Sequence, residues 1–242
     1  MKYLTGVTNN SDEPALIAAG IGLMIQPGNG YHRRVSRYPY WAADNGCFQP
    51  TSYIGDDRLL DWLDRLPREG CLFVVVPDVA RRPDGSLGGD PVATWERFTQ
   101  LAPVIRDMGF PVALAAQDGI ERMANLREQL DACDCLFIAG SDAWKTGKEA
   151  EQVAHLARAL GKWVHMGRVN SLYRMERARE MGCNSADGTF IKYRRRQRAG
   201  ETGAGDRGAS EVAGWLRWLE ENPILFTFEQ PSLPVHRLEM SA

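Results

Sequence analysis

The sequence predicts an α/β fold, a (β/α)8 barrel of the TIM type built as a single domain over residues 1–242. Two observations predict it. Short β-branched or apolar runs alternate with longer amphipathic ones almost from end to end, and about eight of the short runs fit into 242 residues, near the lower end of the usual size for such a barrel. A β-α-β alternation implies parallel strands, which are buried on both faces and therefore need helices to cover them. The alternative is an open doubly wound sheet. No G-x-G-x-x-G follows the first run, which weighs against a dinucleotide-binding version.

The strands are expected at residues 3–7, 22–26, 40–44, 72–76, 112–116, 136–139, 163–166 and 184–187. Between them, Val92, Trp95, Phe98, Leu101, Ile105 and Met108 recur every three or four residues, the spacing of one helix face. Leu59, Leu60, Trp62, Leu63 and Leu66 follow the same rule, as do Val153, Leu156 and Leu160. Gly109, Gly161 and Gly182 stand just past three of these helices, where a left-handed cap is wanted. A further helix is expected over residues 209–221, with Val212, Trp215, Leu216 and Leu219 on one face. Residues 224–228 form a rival closing strand that would leave the N-terminal one outside the barrel. Residues 192–208 read as a mobile basic and Gly-rich loop.

Composition excludes several classes. A hydrophobic share of 44% with 25% charged residues is that of an ordinary globular chain, and a net charge of −2 gives no bulk signal for a polyanion partner. Five cysteines without a C-x-x-C pair argue against a disulfide framework or zinc site, and so for a reducing cytoplasm. The N-terminus turns polar too soon for a secretory signal, and the longest apolar stretch is too short to span a bilayer, so no membrane partner is expected.

In a parallel barrel, reactive residues stand at the C-terminal strand ends. Here those ends carry Asp44-Asn45-Gly46-Cys47-Phe48-Gln49, Pro77-Asp78, Gln117-Asp118-Gly119, Gly140-Ser141-Asp142, Gly167-Arg168 and Asp187-Gly188-Thr189. Singly, each is an ordinary turn or cap. Together they make one ring of loops with carboxylates and an amide. Two carboxylates from different strand ends suit glycosyl transfer, one attacking carbon and the other moving protons. A carboxylate and a carboxamide, Asp78 and Gln117, suit the edge of a flat base, with Phe48 and Met166 on its two faces. Lys192, Arg194, Arg195 and Arg196 suit phosphates, although such a run also reads as a solvated loop. Cys47 is a rival nucleophile, but the four histidines are scattered and none stands near it in sequence.

This ordered set resembles the tRNA-guanine transglycosylase superfamily, and most closely its short phage and bacterial members, the DNA 7-deazaguanine transglycosylases (the DpdA group). The resemblance covers about residues 40–190. It implies Asp187 as the nucleophile that forms a covalent sugar link, and Asp44 as the residue that protonates the departing guanine. It implies a base pocket of Asp78, Gln117, Gly140, Phe48, Met166 and Gly167, with Gly140 offering a backbone N–H. DNA and a 7-deazaguanine base, 7-cyano-7-deazaguanine or a derivative, would be the partners, with no cofactor, in a bacterial cytoplasm that is host or phage-infected. The zinc subdomain of the tRNA enzymes has no counterpart, since no cysteine follows Asp187. Three alternatives stand beside this reading: the same exchange on tRNA, a hydrolase that removes a base or sugar, and a non-catalytic DNA-binding barrel.

Overall fold

Eight parallel strands close on themselves in the order β1 to β8 in a computed structural model that describes residues 1–6, 12–28, 33–49, 51–191 and 204–221. The strands are β1 (Lys2–Thr5), β2 (Gly22–Ile25), β3 (Trp41–Ala43), β4 (Cys71–Val75), β5 (Val112–Ala116), β6 (Cys135–Ile138), β7 (Trp163–Met166) and β8 (Ser185–Gly188). Around them run α1 (Glu13–Ala18), α2 (Asp56–Asp64), α3 (Pro91–Asp107), α4 (Leu126–Ala132), α5 (Asp142–Lys145), α6 (Lys148–Ala159), α7 (Leu172–Glu180) and α8 (Ala204–Glu221). The predicted (β/α)8 barrel is the observed fold.

The helix ends follow from their own residues. Asp90 caps α3, its carboxylate accepting from the N–H groups of Val92 at 3.0 Å and Ala93 at 3.1 Å, with Pro91 where its missing N–H costs nothing. Ser171 caps α7 in the same way, accepting from Arg174 N. Gly161 and Gly182 close their helices at φ 71° and 74°, as their positions predicted.

Strand periodicity divides the core into two layers. Leu4, Met24, Ala42, Phe73, Val75, Ala113, Ala115, Cys135 and Trp163 form a buried cluster inside the barrel. Their neighbours, among them Leu23, Ile25, Val74, Leu114, Leu136, Val164 and Met166, belong to a second cluster that packs against the helices. Side chains two residues beyond an inward one also turn inward. This rule aims Asp44 (after Ala42), Gln117 (after Ala115) and Asp187 (after Ser185) at the barrel mouth.

One rival reading falls away and one expectation is corrected. The N-terminal strand closes the barrel, with Leu4 opposite Asp187 in the β1–β8 register, so the rival closing strand is not needed; residues 224–228 lie outside the described residues. Helix α8 begins at Ala204, inside the segment read as a mobile loop to residue 208. Lys192, Arg194, Arg195 and Arg196 lie outside the described residues. Among the described residues, no helix is long and apolar enough to cross a membrane.

Candidate active site

The C-terminal strand ends surround a cavity of about 530 Å³. Asp44, Asp78, Gln117, Gly140, Gly167, Phe48 and Asp187 all line it. Residues scattered over more than 140 positions of sequence thus meet because parallel strands put all their C-terminal ends at one end of the barrel.

Asp44 leads the first loop. Its carboxylate accepts from Gly46 N at 3.4 Å. Asn45 is buried and stitches the loop to the next strand: its amide donates to Val76 O and to Asp78 Oδ1, each at 2.9 Å, while its own oxygen accepts from Cys47 N at 2.7 Å. Burial pushes the Asp44 carboxyl up to about 7, helped by the negative charge of Asp187 and then of Asp78, against the lowering hydrogen bonds from Gly46 and Asn45. Near neutral pH such a group both gives and takes protons.

Asp78 is pushed up to about 6 by burial, while hydrogen bonds from Asn45 and Gln117 hold it down. Gln117 Nε2 donates to Asp78 Oδ2 at 2.5 Å, so each carboxylate oxygen already has an amide donor. Gln117 is buried beneath the backbone of Gly89, where an added Cβ would collide with the amide and lie 2.6 Å from Val79 O. Gln117 therefore orients Asp78, in addition to lining the cavity.

Asp187 enters from β8. His165 Nε2 lies 3.0 Å from its Oδ1, and the fully buried imidazole stacks on Phe137 with ring centres 4.8 Å apart. Arg168, just past β7, is the sole non-glycine residue with positive φ among those described, at 61°. Its guanidinium donates to Ala139 O at 3.1 Å and to Gly140 O, and stands 5.0 Å from the centre of the Phe48 ring. Arg81 approaches the same ring at 5.5 Å. Phe48 thus has two cations near its ring at the mouth.

Two expected roles, those of Met166 and of the Gly140 N–H, are corrected. Met166 does not line the cavity: it alternates with inward His165, so its side chain is buried in the helix-facing layer and cannot cover a ligand ring. Met24 and Phe137 line the cavity. The Gly140 N–H is already given to Ala116 O at 3.1 Å, and the Gly167 N–H to Ile138 O at 3.1 Å, so neither is offered to a ligand. Burial raises the Cys47 thiol to about 12, which weighs further against it as a nucleophile. Gly167 matters for space instead, since a Cβ there would lie 2.8 Å from the Phe137 ring.

Sequence reasoning missed His165, Arg168 and the bridging role of Asn45. His165 was within reach, because it stands two residues after inward Trp163. Among the described residues, no group of three or more His, Cys, Asp or Glu side chains is arranged to hold a metal ion.

No family model matches the chain, and no curated protein matches it. Among solved structures, the YdjI aldolase from Escherichia coli K12 is similar at 11% identity and TM-score 0.54, over 96% of this chain and 92% of that one. A structure described as native KDPGal is similar at 15% identity and TM-score 0.53, over 91% of this chain and 95% of that one. The likeness is one of fold. The functional expectation is corrected: the neighbour whose name states an activity is an aldolase and not a transglycosylase, no comparison ties the chain to guanine exchange in DNA or in tRNA, and that reading is withdrawn.

Proposed function

We propose that this chain is an enzyme that performs carboxylate acid–base chemistry on a small polar substrate at the barrel mouth. The observation that carries this reading is that Asp44 and Asp187, from two different strand ends, line one cavity, where burial and the charge of Asp187 raise the Asp44 carboxyl. Carboxyl groups held in unlike environments are how one site supplies both an acid and a base. Asp44 gives or takes the proton of the reacting heteroatom. Asp187, across the same cavity, is the second working carboxylate and accepts a substrate O–H or N–H group. Asp78, fixed by Asn45 and Gln117, receives substrate O–H or N–H groups through its remaining lone pairs. Phe137 and Met24 supply the apolar wall.

An aldolase-type cleavage is one form of this chemistry, and the name of one fold neighbour supports it. Asp44 would then take the proton of the hydroxyl that becomes a carbonyl. The adjacent carbon–carbon bond would break with its electron pair passing to the departing fragment as an enolate, and Asp44 would return the proton to that fragment. Among the described residues the cavity lining includes no lysine, and the buried Lys145 gives its ammonium to Gly167 O at 3.0 Å and Asp142 at 3.0 Å, so a Schiff-base route has no support from them.

The test is conversion of a panel of small hydroxy-carbonyl compounds, aldehyde–ketone pairs and polar heterocycles, followed by mass spectrometry. Conversion is expected to be lost in Asp44→Asn and in Asp187→Asn while both variants keep their fold by circular dichroism. Conversion surviving in both variants would remove the carboxylates from the chemistry.

A further inference from the structure

Behind Asp187 stands a line of buried polar groups that the proposed chemistry does not use. Trp163 and His165 come from β7, and Ser185 and Asp187 from β8. Trp163 Nε1 donates to Ser185 Oγ at 2.8 Å, Ser185 Oγ is 2.8 Å from His165 Nδ1, and His165 Nε2 is 3.0 Å from Asp187 Oδ1. Ser185 and His165 are fully buried and Trp163 nearly so. The imidazole has no freedom to turn, since Phe137 stacks on it and Phe73 meets it edge-on at 4.9 Å.

The hydrogens in this line can be placed by donor counting. An indole N–H only donates, so Ser185 Oγ accepts from Trp163. The one hydroxyl hydrogen of Ser185 is then free to point at His165 Nδ1, which accepts it as a neutral ring. The ring proton is left on Nε2, facing an Asp187 carboxylate that only accepts. In this arrangement every contact pairs a donor with an acceptor.

We propose that His165 is a positioning residue: its Nε2–H fixes the Asp187 carboxylate toward the cavity, in a tautomer imposed from behind by Ser185 and Trp163. The inference rests on the reading of Asp187 as a working carboxylate. Its logic is that of a base held by a third group, with the roles of imidazole and carboxylate exchanged. The other charged or titratable groups that influence or are influenced by Asp187 are Tyr3 from β1, Asp44 after β3 and Arg168 after β7. Tyr3 gives its hydroxyl to Val169 O at 3.0 Å, and Arg168 gives its guanidinium to backbone carbonyls. His165 is therefore the donor available to Asp187 from its own barrel layer.

The test uses the full chain with ¹⁵N-labelled histidine and ¹³C-labelled aspartate, the His165 signals being assigned by their loss in His165→Gln. The parent is expected to show the neutral Nε2–H tautomer, and Ser185→Ala to mix the two tautomers. In His165→Phe the Asp187 carboxyl ¹³C signal should move from its parent position at the same pH, because a donor to its charged form is gone. His165→Gln, which can still donate, should restore most of that shift. A parent ring in the Nδ1–H or doubly protonated form overturns the proposal, as does an Asp187 carboxyl signal that the Phe variant leaves unmoved. If the Phe variant does not fold, the tautomer and its response to Ser185→Ala decide. These signals require no substrate, so they stand apart from the loss or survival of turnover in Asp187→Asn, which tests the function itself.

Discussion

Asp44 and Asp187 face one cavity from β3 and β8, and the charge of the second raises the proton affinity of the first. The two strands are three places apart around the closed ring, with β1 and β2 between them. The pairing thus depends on barrel closure, not on any local motif.

That relationship has a signature in stability. The folded chain holds the Asp44 proton up to about pH 7, whereas the ordinary value is 3.8. The folded state therefore binds a proton that the unfolded state has released, and the stabilisation from Asp44 is complete below pH 3.8 and lost as pH rises through about 7. Asp44→Asn stays neutral throughout. It is expected to flatten this slope and to exceed the parent above pH 8 by on the order of 2 kcal/mol, measured by urea denaturation across pH. A parallel decline in both proteins would show that Asp44 does not carry the effect.

Gly188 closes β8 next to Asp187 with no room for a side chain. A Cβ there would lie 2.6 Å from Asn170 Oδ1 and closer still to Val169 O and the Tyr3 hydroxyl. All three neighbours are tied down, because Tyr3 donates to Val169 O and Asn170 accepts from Thr189 N at 2.7 Å. Gly188→Ala is expected to cost about 2–3 kcal/mol by overpacking, read as a fall in the denaturation midpoint at unchanged slope.

Arg168 holds its backbone at φ 61° without being glycine. Comparing Arg168→Gly with Arg168→Ala separates backbone from side chain, since both lose the guanidinium and only glycine relieves the strain. The glycine variant is expected to be more stable than the alanine one by about 1 kcal/mol in thermal unfolding. Equal stabilities would mean that the loop relaxes around either residue.

Cys47 lies on the Asp44 loop with its thiol raised to about 12 by burial and by the nearby Asp78 charge. At pH 8 its thiolate fraction is roughly a thousandth of that of an ordinary cysteine, so iodoacetamide is expected to label it slower by about that factor. Labelling followed by peptide mass spectrometry measures this. Rapid modification of the folded chain at Cys47 would return it to the list of nucleophiles.

Much of the molecule was legible along the chain. The alternation of short apolar runs with three-and-four spacing placed all eight strands, because strand and helix periods are local properties of neighbouring residues. Parallel topology then put Asp44, Asp78, Gln117 and Asp187 on one rim. What a strand residue faces was harder to read. Met166 and His165 are adjacent, and the inward sense that buries one against helices and turns the other to Asp187 is set by the β6–β7–β8 register.

The sequence by itself determined the barrel and the identity of its rim residues, since both follow from short-range patterns of size and polarity. Only the tertiary structure decided how those residues act: that Gln117 braces Asp78 from 39 positions away, that the N–H groups of Gly140 and Gly167 are already spent, and that Asp44 holds its proton to about pH 7. Hydrogen-bond partners and proton affinities depend on which distant groups share a water-poor space, and that proximity exists only once the ring of strands has closed.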